Sequence, residues 1–189
     1  MTGATSPSRF DAIVVGSFQG RERLESYLID DFLDAVAVLP LKSDPVLLAF
    51  GGSRISRIFE SARRGHDVWV PDVRMSAGGA AVAGVLKERG LGKGRIGIVG
   101  FGPTAPGEAE GLLPLGFHSN LVKALPEATL GDFTTAFTDF MLVKSDEEIA
   151  LLRFSARITE EACKVMMETA RPGISEALVY ADTVREIHR

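Results

Sequence analysis

An α/β fold, with a mixed sheet of five or six strands flanked by helices, is predicted for this chain by three observations. Short runs rich in Val and Ile alternate with stretches that carry apolar residues at helical spacing. Two of those runs are separated only by the polar connection Pro40 to Pro45, which reads as a hairpin and makes the sheet mixed rather than wholly parallel. The 189 residues are 46% hydrophobic and 24% charged, an ordinary globular balance with enough length to bury a core.

Residues 1–9 are rich in Thr, Ser, Gly and Pro and are expected to form a disordered tail. They lack the basic start and apolar stretch of a signal peptide. Five strands are expected, at Asp11 to Gly16, Ala35 to Leu39, Val46 to Phe50, Asp67 to Val70 and Arg95 to Val99, each bounded by Gly, Pro or Asp. A helix capped by Ser53 carries Ile55, Ile58, Phe59 and Ala62 on one face and stops at Gly65. A second, starting near Ser76, carries Val82, Val85 and Leu86 and stops at Gly90. These elements place one α/β domain over residues 10–141.

The composition changes after Leu142. Ser145 and Glu148 form a capping-box pattern. A long helix follows, with Ile149, Leu152, Ala156, Cys163, Met166 and Ala170 expected on one stripe. Arg171-Pro172-Gly173 ends it, since Pro cannot continue a helix and Gly accepts a left-handed turn. Ser175 caps a last helix with Ala177, Ala181 and Val184 on one face, and this helix is expected to run into the last residue, Arg189, without a stop signal. Two amphipathic helices in a row need a surface on which to bury their stripes. The stripes of residues 142–189 would be met by the α/β domain, by another chain or by a further part of their own domain.

A formal net charge of −4 gives no basic footprint for nucleic acid. The longest apolar runs are strand-sized, far short of the roughly 18 residues a membrane span needs. Cys163 is the single cysteine, which excludes an internal disulfide and fits a reducing, cytoplasmic setting.

No catalytic, cofactor-binding or metal-binding residue is selected. His66, His118 and His188 stand far apart, and none has the spacing of a metal pair. His66 borders a strand, His118 lies in an expected Gly/Ser/Asn loop and His188 lies on the last helix. Cys163, on an apolar stripe, reads as a small buried hydrophobe rather than a nucleophile. Asp146-Glu147-Glu148 complements a helix dipole, and Asp30-Asp31 reads as a solvated turn. Gly90-Leu91-Gly92-Lys93-Gly94 lacks the Ser or Thr and the spacing of a phosphate loop. The best competitor is Gly100-Phe101-Gly102-Pro103-Thr104-Ala105, a Gly-x-Gly-x-x-Ala segment after a strand, as in nucleotide-binding domains. Against it, Pro103 and Pro106 remove amide donors, and no acidic residue ends a strand about 20 residues on.

The stretch Val143-Lys144-Ser145-Asp146-Glu147-Glu148-Ile149, followed by Ala162 and then Arg171-Pro172-Gly173-Ile174-Ser175-Glu176, closely resembles the opening of the pita-bread domain of the creatinase/prolidase/aminopeptidase P family. Upstream, Asp11 to Val15 looks like the first strand of the family's N-terminal domain and Arg95 to Ile98 like its strand after the second helix. Tyr27-Leu28 matches in part, continuing as Ile29-Asp30, and Met141 stands where the family usually has Arg. The resemblance implies a creatinase N-terminal-like, ribonuclease H-like domain followed by two pita-bread helices. It also implies a homodimer and a parent hydrolase that uses two divalent ions such as Mn, Co or Zn. That parent would act on an Xaa-Pro peptide or a small amide-like C–N substrate. The family's metal ligands, two Asp, a His and two Glu, lie beyond the Arg-Pro-Gly turn, so none is assigned to this sequence.

Overall fold

The computed structural model describes residues 10–16, 24–28, 35–49, 52–66, 68, 70–76, 78–103 and 111–189. Expectations placed on residues 1–9, Phe50, Asp67, Asp30-Asp31 and Thr104 to Pro106 lie outside them. The chain divides into two compact units at Met141/Leu142.

The first unit is a six-stranded mixed sheet flanked by helices. Its strands are β1 (Ala12–Gly16), β2 (Ala35–Pro40), β3 (Val46–Ala49), β4 (Asp72–Met75), β5 (Arg95–Ile98) and β6 (Thr129–Asp132). They lie in the order β4-β3-β2-β1-β5-β6. β2 pairs antiparallel with both β1 and β3, and every other pairing is parallel. The expected hairpin is present, with Val38 opposite Val46 and Ala35 opposite Ala49. The helices are α1 (Gly52–Arg63), α2 (Gly79–Glu88), α3 (Leu115–Ala124) and α4 (Thr134–Leu142), with a 3-10 turn at Leu24–Tyr27.

The central strands are apolar at almost every position because both faces of the sheet are covered. Ala12, Val14, Val36, Val38, Val46, Leu48, Ile96 and Ile98 point to one face, where they meet Val82, Val85, Leu86 and Leu121 from α2 and α3. The residues between them point the other way. Ala35, Ala37, Leu47 and Ala49 meet Ile55 of α1, while Val15 packs with Val99, Phe133 and Phe137. Where β5 and β6 pair Gly97 with Gly131, the Phe10 ring covers both glycines and meets Phe133 edge-on at 5.6 Å.

Several expectations are corrected. The fourth strand is Asp72–Met75, not Asp67 to Val70. Val70 is buried, but Pro71 has no amide to donate, so pairing starts after it. α1 begins at Gly52, which puts Ser53 inside its first turn; Phe59 is half exposed and Ala62 exposed. α2 begins at Gly79, after Gly78 at φ 94°, rather than near Ser76. Gly65 and Gly90, the expected stops, have φ of 82° and 74°, which glycine adopts without a Cβ penalty.

The second unit is a helical hairpin of α5 (Asp146–Thr169) and α6 (Glu176–Ile187). The capping box is complete: Glu148 N donates to Ser145 Oγ, and Ser145 N donates to Glu148 Oε2 at 2.8 Å. Gly173 makes the turn at φ 90°, and Ser175 Oγ accepts from Ala177 N. α6 ends at Ile187 with His188 as its cap, so its expected continuation to Arg189 is corrected.

At the outer edge of the sheet, Arg74 bonds both oxygens of Asp72 (2.8 and 2.9 Å) and reaches Glu88 of α2 at 2.6 Å; Arg89 adds a contact to Asp72 at 3.3 Å. The Arg74 guanidinium holds the Asp72 carboxyl below the ordinary carboxylate range. A depressed folded-state value stabilises above the unfolded pKa of about 3.9, and that stabilisation is lost as pH falls through the folded value. Asp72→Asn is therefore expected to lower stability at pH 7 by about 1 kcal/mol or less, and by less at an acid pH below the unfolded value of about 3.9. Urea titrations of both proteins at the two pH values check this; an equal deficit at both would contradict it.

Candidate functional site

The chemistry-bearing residues fall into a cluster at the strand ends, a scatter of single side chains and the helical hairpin, and the first two account for themselves structurally. The first lies where the parallel strands β5 and β6 end. Asp132 closes β6, and Thr134 opens α4 two residues later. Thr134 is fully buried. Its hydroxyl donates to Asp132 Oδ1 and accepts from Gly100 N at 2.9 Å and from Gly102 N at 3.2 Å. Asp132 Oδ1 also accepts from Thr134 N at 2.9 Å and from Gly102 N at 3.3 Å. A Cβ at Gly102 would stand 2.7 Å from Asp132 Oδ2. The side chains of Asp132 and Thr134 thus form a clasp on the turn after β5.

That clasp decides the reading of Gly100 to Ala105. A pyrophosphate on such a loop needs free amides and a helix N-terminus behind them. Here the amides of Gly100 and Gly102 are already taken, a carboxylate sits beside them, and the next helix among the described residues starts at Leu115. The geometry opposes nucleotide binding at the described part of this segment. The sequence reading missed Asp132 and Thr134. An Asp-x-Thr directly after a strand was the available signal, because both side chains readily bond nearby amides.

The isolated candidates are not brought together. His66 is exposed beyond α1, bonding Ser61 O through its own amide. His118 is not in a loop: it lies on α3, half-buried, with its ring edge-on to Phe101 at 5.4 Å. His188 is exposed after α6. Gly90 to Gly94 forms the turn between α2 and β5, with Leu91 N bonded to Leu86 O. At the start of α5, bonds from its own amide and from Ser145 hold the Glu147 carboxyl below its ordinary range, in keeping with a helix-capping role. Among the described residues, no three His, Cys, Asp or Glu side chains gather where they could hold a metal ion. The described residues do not fit a two-metal centre. No helix among them is long and apolar enough to cross a membrane.

The third place is the hairpin, and its residues lack a structural account within their own unit. α5 has two apolar faces. Ile158, Ala162, Val165 and Thr169 are covered on the face turned to α6, with Ala162 the one buried side chain among them, and Glu148 and Ile149 are half-buried near the start of the helix. The stripe expected from the sequence is the other face: Ile149 on it is half-buried, but Leu152, Ala156, Cys163, Met166 and Ala170 are exposed. The reading of Cys163 as buried is thereby corrected. α6 differs in part: Ala177 and Ala181 of the expected face are exposed, while Val184 is half-buried along with Val179 and Thr183. Leu151, Phe154, Met167, Leu178 and Tyr180 are also at least half exposed or nearly so. A single α-helix cannot bury both of these stripes against one 12-residue partner. Apolar surface of this extent on so small a unit marks a contact site.

Comparison with known proteins gives these features a setting. No family model matches the chain. Creatinase from Bacillus sp. (strain B-0618) is 33% identical over 113 residues, covering 58% of this chain and 25% of creatinase. An uncharacterized hydrolase/peptidase, y4tL, from Sinorhizobium fredii is 35% identical over 65 residues, covering 34% of this chain and 17% of that protein. Among solved structures, the prolidase from Pyrococcus furiosus superposes with a TM-score of 0.66 at 14% identity, covering 96% of this chain and 49% of the prolidase. An Xaa-Pro dipeptidase from Bacillus anthracis gives 0.63 at 20% identity, covering 95% of this chain and 44% of the dipeptidase. The chain spans less than half the length of these structures and about a quarter or less of its curated relatives. The chain is thus similar over part of their length to proteins of the creatinase/prolidase/aminopeptidase P type. The sheet flanked by helices is the fold of their N-terminal domain.

Proposed function

We propose that this chain is the N-terminal accessory and dimerisation portion of a metal-dependent hydrolase of the creatinase/prolidase/aminopeptidase P type, and that residues 142–189 are the first two helices of its catalytic domain. One observation carries the reading: the exposed second face of α5, Leu152, Cys163 and Met166, sits on a chain that spans 44–49% of the enzymes sharing its fold. A catalytic-domain helix has more than one neighbour, and within its own unit α5 has α6. Two divalent ions would belong to the parent, with ligands outside these residues. The parent's substrate would be an Xaa-Pro peptide or a creatine-like C–N compound. A cytoplasmic location is part of the proposal.

The test is direct. The purified chain is incubated with an Xaa-Pro dipeptide, or with creatine, in the presence of Mn, Co or Zn. No turnover above the protein-free rate is expected. Turnover that is abolished by a chelator would overturn the accessory role. Light scattering on the same sample is expected to return twice the chain mass, and a strictly monomeric species would overturn the dimerisation role.

A further inference from the structure

We draw no further inference here: the strongest candidate, the second apolar face of α5 around Leu152, Cys163, Met166 and Met167 in the helical hairpin, has nothing in the structure to show what covers it beyond the domain continuation already proposed.

Discussion

Gly79→Ala is expected to destabilise the α/β unit by about 2–3 kcal/mol, a shift of roughly 5–10 °C in Tm. Gly79 opens α2 where that helix crosses α3. A Cβ there would stand 2.1 Å from Phe117 O and 2.6 Å from Leu121 N. Both are backbone atoms inside a helix, so no rotamer change relieves the clash, and α2 and α3 must move apart. That movement would loosen Val82, Leu86 and Leu121, each fully buried at their contact. Gly84, in the same helix, provides the control. Nothing lies within 4 Å of a Cβ placed on it. Gly84→Ala is expected to stabilise by up to about 1 kcal/mol through helix propensity alone. Thermal melts of the two variants should therefore move in opposite directions, and parallel shifts would show that close approach at Gly79 is not what limits it.

The second large effect is expected at Thr134. Replacing it with Val keeps the shape and removes the hydroxyl. Gly100 N then has no acceptor in a buried place, and Gly102 N keeps only the longer bond to Asp132 at 3.3 Å. An unsatisfied buried donor costs about 1–3 kcal/mol, and the Asp132 carboxylate also loses a donor. A total of about 2–4 kcal/mol follows for Thr134→Val. Thr134→Ser retains every hydrogen bond and loses one methyl group, about 1 kcal/mol. Denaturant titration resolves the two, and equal losses would place the effect in the methyl group rather than the clasp.

How much of this was legible in the sequence depends on where each element draws its stability. β1, β2, β3 and β5 are buried on both faces, so their residues are apolar in unbroken runs that stand out from the text. α5 announces itself through Ser145 and Glu148, whose side chains act within one turn. The segment 111–142 is different. α3 holds Gly116, His118, Ser119 and Asn120, and α4 is rich in Thr and Phe, all indifferent helix formers. Both are held by what they pack against: Phe117 and Leu121 of α3 lie in the core with α2, and Phe137 of α4 packs with Val15 and Val99. β6 is four residues long at the rim of the sheet and contains Gly131, which is tolerated because Phe10, more than 100 residues earlier, covers it. β4 is hidden from a local reading because its charges are satisfied by Glu88 of α2 and by Arg89 just after it, partners that a local window cannot contain. On α5 the periodicity is ambiguous in itself, since two stripes are present and only the structure shows which one α6 meets.

The hairpin also sets how the molecule opens. Among its described residues Ala162 alone is buried, and its backbone bonds join near neighbours in sequence. In the α/β unit, by contrast, β1 is paired to β5 more than 80 positions away, so its central amides are freed only when distant segments part together. Solvent deuterium should thus enter α5 and α6 through small, frequent openings and reach Val14 and Ile98 only through the rarest ones. One chain would carry two clocks, and an added segment that seated itself on Leu152 and Met166 would slow the faster clock while leaving the slower one as it was.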